Sequence, residues 1–136
     1  MDFVQLGQQI EAMFKAEEVE FELLDELNED GGVWGFNIDE DVSGFLRCHY
    51  AEIGPREPIV CISLSLGALG DYEREDLLGL LEMNGMLYSM QLTVMPELDE
   101  HDIVLLQRSL PAEQFQVADF PRHIQDLVDV MDEYFE

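Results

Sequence analysis

The apolar residues of this chain change their spacing repeatedly, and this change limits the possible folds more than any other feature. The first apolar residues recur at helical spacing, which predicts a helix with Asp2 as its cap: Phe3, Leu6, Ile10, Met13 and Phe14. Apolar and polar residues then alternate from residue 19 onwards, which is typical of half-buried strands. Helical spacing returns near residue 75, alternation near residue 88, and helical spacing again after residue 119. The sequence therefore predicts an α+β fold in which an antiparallel sheet is covered by helices.

The boundaries of these elements follow from glycine, proline and capping residues. Before the middle helix, the alternation predicts four short strands, at residues 19–23, 33–38, 45–53 and 59–66. We expect the middle helix at residues 75–87 and two further strands at residues 88–95 and 103–109, joined by residues 96–102. Asp119 and Pro121 indicate the start of a final helix with one apolar face. The length of 136 residues fits a single domain, residues 1–136.

The charge of the chain is strongly negative, although nearly half of its residues are apolar. Thirty-one Asp and Glu residues stand against six Lys and Arg, while 47% of the residues are hydrophobic. The apolar content argues against a disordered acidic tail, because such tails cannot bury enough surface to fold. A dense negative surface repels nucleic acid and anionic lipid headgroups, so neither is an expected partner. With no leader and no apolar run long enough to span a bilayer, we expect a cytoplasmic protein without membrane insertion.

The sequence carries no set of residues that predicts an enzyme, a metal site or a cofactor. Asp39, Asp41 and Ser43 resemble the start of a calcium loop, but Tyr50 stands where that loop needs a bidentate Glu. The spacing of Cys48 and Cys61 with the three histidines fits no zinc site, and we expect both cysteines to stay reduced and buried. Glycine motifs for nucleotides and a nucleophile elbow are also missing from the sequence. We therefore expect a binding module without catalytic activity, metal or cofactor.

The middle helix is apolar around most of its circumference, which is unusual for a helix on a protein surface. Leu77 and Leu81 lie on one side of the helix, while Leu78 and Met86 lie on the side away from them. A helix of this kind must be covered on two sides, and in a small chain we expect the second cover to be another copy of the protein. We therefore predict a homodimer through these four residues, and the sequence leaves open which side meets the partner.

The chain resembles the class I type III secretion chaperones, the Tir-chaperone (CesT) family, over nearly its whole length. The resemblance is carried by a leucine-rich helix that ends in Asn, at residues 77–84, and by a strand that ends before proline, at residues 103–111. It implies small acidic homodimers with the order α-β-β-β-α-β-β-α, although the alternation predicts four strands before the middle helix. It also implies a cytosolic chaperone that keeps the N-terminal segment of a secreted effector extended, soluble and ready for secretion. The alternative is a YbjN-like regulatory or scaffold domain without effector cargo.

The first helix supplies the candidate surface for such a segment. Leu6, Ile10 and Phe14 form one apolar stripe, Val4 lies off it, and Gly7 beside it leaves room for a close approach. These four apolar residues are the predicted effector-binding residues, with the binding mode implied by the resemblance. The alternative interpretation is that the stripe only seals the sheet. An extended segment can also add to a free sheet edge through main-chain hydrogen bonds.

Overall fold

The computed structural model describes residues 2–98 and 101–135, and it confirms the predicted α+β class with an antiparallel sheet. The elements follow one another as α1 (Phe3–Ala16), β1 (Glu20–Asn28), β2 (Gly31–Asn37), β3 (Ser43–Tyr50), β4 (Pro58–Ala68), α2 (Arg74–Asn84), β5 (Gln91–Leu98), β6 (His101–Pro111) and α3 (Phe120–Tyr134). Four strands precede α2, as the alternation predicts. The three-strand order implied by the resemblance is short by one strand, because β1 and β2 are both present as strands and pair with each other.

The six strands form one sheet in the order β1-β2-β3-β4-β6-β5. The first four strands are a meander joined by short connections. The chain then passes through α2, and β6 pairs with β4 while β5 pairs only with β6. Strands β1 and β5 are therefore the two edges of the sheet.

The core lies between one face of the sheet and the helices α1 and α3. Its fully buried members come from both helices and from the central strands: Phe3, Ile10, Phe14, Trp34, Leu46, Ile62, Leu64, Leu106, Phe120 and Leu127. The ring of Phe14 lies 5.4 Å from that of Phe120, which joins the two helices across the core. The Arg108 guanidinium donates to the Asp126 carboxylate over 2.9 Å and thereby fixes α3 against β6.

Several predicted boundaries are wrong by a few residues for local physical reasons. Strand β3 ends at Tyr50 because the chain turns there, and the Ala51 N–H donates to the Glu57 carbonyl over 2.8 Å. Strand β5 begins at Gln91, because Ser89 takes a positive φ of 62° and turns the chain. The predicted connection at residues 96–102 is shorter, since β5 and β6 extend into it, and residues 99–100 lie outside the described residues.

The caps of the outer helices stand where the sequence predicts them, but only one acts through its side chain. The Asp2 carboxylate accepts a hydrogen bond from the Val4 N–H over 2.8 Å. Asp119 precedes α3, with proline in the first turn, but its side chain makes no capping hydrogen bond. Within the described residues, none of the helices has the length and apolar character that crossing a bilayer requires.

Candidate interaction surface beside the middle helix

Helix α2 is held to the rest of the protein by hydrogen bonds at its ends. At its C-terminal end, the Asn84 side-chain oxygen accepts from the Leu92 N–H of β5 over 2.8 Å. Just before it, the Tyr72 hydroxyl donates to the Leu66 carbonyl over 2.6 Å. None of the residues 74–84, all of which the structure describes, is buried. The helix is thus fixed in place while its apolar side chains stay largely open.

The Tyr72 hydroxyl is also kept in its donating form. Burial, together with the negative charges of Asp76 and Asp71, raises the pKa of Tyr72 above its usual value of 10.0. A protonated hydroxyl can keep donating to the Leu66 carbonyl throughout the neutral range. The start of α2 therefore has a fixed anchor on the end of β4.

An apolar groove separates α2 from the sheet. We call it the α2–β5 groove, and it is lined by Leu69, Leu77, Leu80, Leu81, Asn84, Leu92, Thr93, Val94 and Val104. Its volume of about 220 Å³ is below the roughly 300–1,000 Å³ that is typical of small-molecule sites. The groove is better suited to apolar side chains of a protein partner than to a cofactor.

Large apolar side chains are exposed around this groove. We call this set the α2–β5 patch, and it consists of Leu78, Leu81, Met86, Tyr88 and Val94. Leu81 is 68% exposed although it also lines the groove. Isolated exposed apolar residues are ordinary on protein surfaces, but four of these five lie within residues 78–88 and two of the five line the groove, which makes this surface a candidate interaction site.

The edge strand β5 continues the same surface, and its first part, before Pro96, Glu97 and the register shift after Met95, has little protection against pairing. Residues 91–95 carry no charged side chain. The opposite edge, β1, carries exposed Glu20, Glu22, Asp25 and Glu26, and its pairing with β2 has two irregular positions. Charges and bulges are the usual means by which proteins protect sheet edges. Of the two edges, β5 is therefore the one on which another strand can pair more readily.

The predicted dimer residues lie on this surface, with one correction. Leu77 and Leu81 line the groove, and Leu78 is exposed outside it. Met86 is not part of the helix, because α2 ends at Asn84 and Gly85 follows as its cap. Of the two sides of α2 that were expected to be covered, one faces the groove toward β5 and β6, whereas Leu78 on the outer side is 49% exposed.

The predicted effector-binding residues of α1 divide into two groups. Ile10 and Phe14 have no exposed surface, so neither can contact a peptide in this conformation. For these two residues the structure supports the alternative interpretation, in which the stripe seals the sheet. Val4 and Leu6 are partly exposed. The space beside Gly7 is filled by Leu27 of β1, since a Cβ at Gly7 would lie 2.5 Å from its Cδ2.

The sequence alone did not indicate the contribution of β5. The alternation predicts Leu92, Val94 and Tyr88 only as members of a strand, and which strands form the edges depends on pairing across α2. The apolar, uncharged stretch at residues 91–95 is the only sequence signal for this surface.

The chain matches no protein-family model, and it has no match among curated proteins. Among the described residues, no group of three His, Cys, Asp or Glu side chains is placed to hold a metal ion. The function of the protein is therefore inferred from the α2–β5 surface and from the charge around it.

Proposed function

We propose that this protein is a homodimeric chaperone of the type III secretion class, which holds the N-terminal segment of a secreted effector in extended form. The observation that carries the proposal is the exposed apolar patch on α2 and β5, beside the uncharged residues 91–95 of an edge strand. An acidic protein that leaves such a surface open is suited to binding other chains.

The α2–β5 patch is assigned to the second copy of the protein. Helix α2 exposes Leu78 on the side away from β5 and Leu81 beside the groove, and burying these two side chains against a partner supplies the second cover that such a helix needs. In a two-fold dimer the same patch meets itself, so a continuous apolar surface is self-complementary. The β5 edges of the two copies then lie at or near the interface.

The effector segment is assigned to the other end of the sheet, beside α1 and β1. Val4 and Leu6 keep exposed surface there, and Leu27 ties α1 to β1 through its contact with Gly7. Leu23 and Leu24 of β1 are also exposed, among acidic neighbours. This combination favours a segment that carries apolar residues for the surface and Lys or Arg for the carboxylates.

Negative charge is expected to act on both binding and location. The net charge of −25 attracts basic segments and raises their rate of association at low salt. It also disfavours anionic membranes and nucleic acid, in agreement with a cytoplasmic function before secretion.

The test is binding of N-terminal segments of secreted proteins to wild type, Val4→Asp and Leu6→Asp. We expect both variants to bind a true cargo at least tenfold more weakly, because a carboxylate replaces an apolar contact. Ile53→Asp is the matched control, since Ile53 lies in the β3–β4 loop and is almost fully exposed. Calorimetry should give a negative heat-capacity change, the mark of buried apolar surface.

Two results would count against the proposal in different ways. Full cargo affinity in folded Val4→Asp and Leu6→Asp proteins would move the cargo away from α1. Failure of every segment to bind the wild type would favour the second candidate, a YbjN-like regulatory or scaffold domain without cargo. The fourth strand before α2 departs from the order that the chaperone resemblance implies, and this departure is the reason for keeping a second candidate.

A further inference from the structure

A polar cluster lies on the face of the sheet opposite to the main core. Strand pairing sets Cys61 of β4 directly between Arg47 of β3 and Ser109 of β6. Residues two positions away point to the same face, which adds His49 and Gln107 to the cluster. Cys48 points to the main core instead, so the two cysteines have different surroundings.

Hydrogen bonds orient the groups around the Cys61 thiol. The Cys61 Sγ lies 3.9 Å from His49 Nε2 and 3.5 Å from Ser109 Oγ. His49 Nδ1 lies 2.8 Å from the Tyr50 carbonyl, which can only accept, so Nδ1 carries the proton. His49 Nε2 is thereby left to take the thiol proton, as in other Cys–His pairs.

A cavity of about 370 Å³ opens in front of this cluster. It is lined by Arg47, His49, Ala51, Glu52, Ile53, Ile59, Cys61, Gln91, Gln107 and Ser109. Cys61 is only 2% exposed, but Gln91 and Ser109 at the cavity are exposed and mark its opening. The volume is within the roughly 300–1,000 Å³ that small-molecule sites occupy.

Two buried polar atoms in the cavity wall have no hydrogen-bond partner in the structure. Gln107 is 3% exposed, and its Nε2 donates to Ser109 over 3.2 Å while its Oε1 is unpaired. Arg47 Nε is unpaired as well. An unpaired buried acceptor and an unpaired buried donor are costly, and a ligand with an N–H and a carboxylate can satisfy both.

The electrostatics of the cavity favour the thiolate of Cys61. Burial alone would raise the pKa of Cys61, but hydrogen bonds from His49 and Ser109 and the charge of Arg47 outweigh it and lower the pKa. The hydrogen bond to Cys61 raises the pKa of His49, although burial opposes it. The charged and titratable groups that face the thiol are thus Arg47, His49 and the cavity-lining Glu52. Burial raises the pKa of Cys48 to about 11, which leaves that thiol inert.

We propose that Cys61 is a modification site that forms a mixed disulfide with a low-molecular-weight disulfide of the glutathione type. The Cys61 thiolate attacks one sulfur of glutathione disulfide, and a new S–S bond forms as the original S–S bond breaks. The departing glutathione thiolate takes a proton from the His49 imidazolium. The protein thiol is oxidised to the disulfide level, and half of the glutathione disulfide is reduced to glutathione.

Glutathione carries the groups that the cavity needs. Arg47 can pair with one of its carboxylates, and Gln107 Oε1 can accept from one of its amide N–H groups. The modification would place an acidic tripeptide on this face of the sheet, beside Gln91 at the start of β5.

The test uses the full-length, reduced protein with oxidised glutathione near pH 7, followed by intact mass and peptide mapping. We expect one glutathionyl group on Cys61 and none on Cys48, and no reaction for Cys61→Ala. His49→Gln should slow the reaction, because the thiol loses a hydrogen bond that lowers its pKa and therefore loses part of its thiolate. Circular dichroism shows whether each variant is folded.

A second reagent tests the recognition separately from the reactivity. Arg47→Gln should slow the reaction of Cys61 with glutathione disulfide more than its reaction with the neutral 2-hydroxyethyl disulfide. Of these two reagents, only glutathione disulfide offers a carboxylate to Arg47. Equal slowing of the two reagents would overturn glutathione as the ligand. Equal modification of Cys48 and Cys61, or a folded protein that reacts with neither reagent while the urea-unfolded protein does, would overturn the site itself.

Discussion

The dimer predicted from α2 can be tested through Leu81, which lines the groove and is also the most exposed leucine of the α2–β5 patch. Full burial of a leucine side chain contributes about 1.5–3 kcal/mol. Leu81 is 68% exposed in the single chain, so about two-thirds of this contribution, roughly 1–2 kcal/mol, remains for association. A two-fold interface contains the residue twice, so Leu81→Ala should weaken the dimer by about 2–4 kcal/mol.

This loss corresponds to a dissociation constant about 30- to 700-fold higher. The fold of each protomer should change little, because Leu81 contributes only its smaller, buried part to folding, roughly 0.5–1 kcal/mol. Sedimentation equilibrium over a range of concentrations measures the dissociation constant, and urea unfolding checks the protomer. Ile53→Ala is the matched control: it removes a similar aliphatic side chain that is 94% exposed in the β3–β4 loop, and it should leave the dimer unchanged.

A wild-type protein that stays monomeric at every concentration would refute the predicted dimer. The prediction also fails if Leu81→Ala and Ile53→Ala have equal effects. Two more disruptive single substitutions, Leu78→Glu and Leu81→Glu, then show which side of α2 contacts the partner. Dissociation by Leu78→Glu alone places the partner on the outward side, and dissociation by Leu81→Glu alone places it over the groove.

Three further predictions concern the stability and solubility of the protomer. Gly7→Ala should stabilise the wild type by less than the helix-propensity gain of about 1 kcal/mol, because a Cβ at Gly7 would lie 2.5 Å from Leu27 Cδ2 and the Leu27 side chain must move. The same substitution should stabilise a Leu27→Ala protein more, and urea unfolding of the four proteins would contradict the contact if the two changes were additive. Solubility should be lowest near the sequence pI of about 4.1, where copies no longer repel each other, and a clear concentrated solution at that pH would show that the patch does not drive association. Burial, with help from nearby arginines, lowers the pKa of His123, so the unfolded chain binds its proton more readily. Stability from this residue is therefore present above a pH of about 6.5 and lost as the pH falls below it, and the pH dependence should be weaker in His123→Gln.

The elements of the fold were readable from the sequence because each carries its own local signal. The spacing of Phe3, Ile10 and Phe14 predicts α1, and the same spacing near residue 120 predicts α3. The alternation predicts all four strands before α2, including the one that the resemblance did not imply. Local signals of this kind depend on neighbours a few residues apart, so they need no knowledge of the tertiary structure.

The candidate site was harder to predict from the sequence, because it depends on contacts between segments that are distant in the chain. Strand β5 is an edge only because β6 inserts between it and β4, and this pairing has no local signal. The stripe on α1 looked available for cargo, but Ile10 and Phe14 are covered by the sheet and α3. The space beside Gly7 is filled by Leu27 from β1, twenty residues along the chain, which no pattern within α1 could show.

Charge repulsion between two copies and attraction between their apolar patches act over different distances, so a strongly negative protein can still form a dimer. Charge repulsion between two copies acts over a Debye length of about 8 Å at physiological salt, whereas apolar contact acts only where surfaces touch. Two copies of a chain with a net charge of −25 therefore associate only if the α2–β5 patch fits closely enough to offset the repulsion. Added salt screens that repulsion, so it should tighten the homodimer, while it should weaken a complex with a basic cargo segment. Opposite salt dependences, measured by sedimentation for the dimer and by calorimetry for the cargo, would separate the two surfaces. The same sign for both would mean that a single kind of force governs them and that the assignment of cargo to the acidic α1–β1 end is wrong.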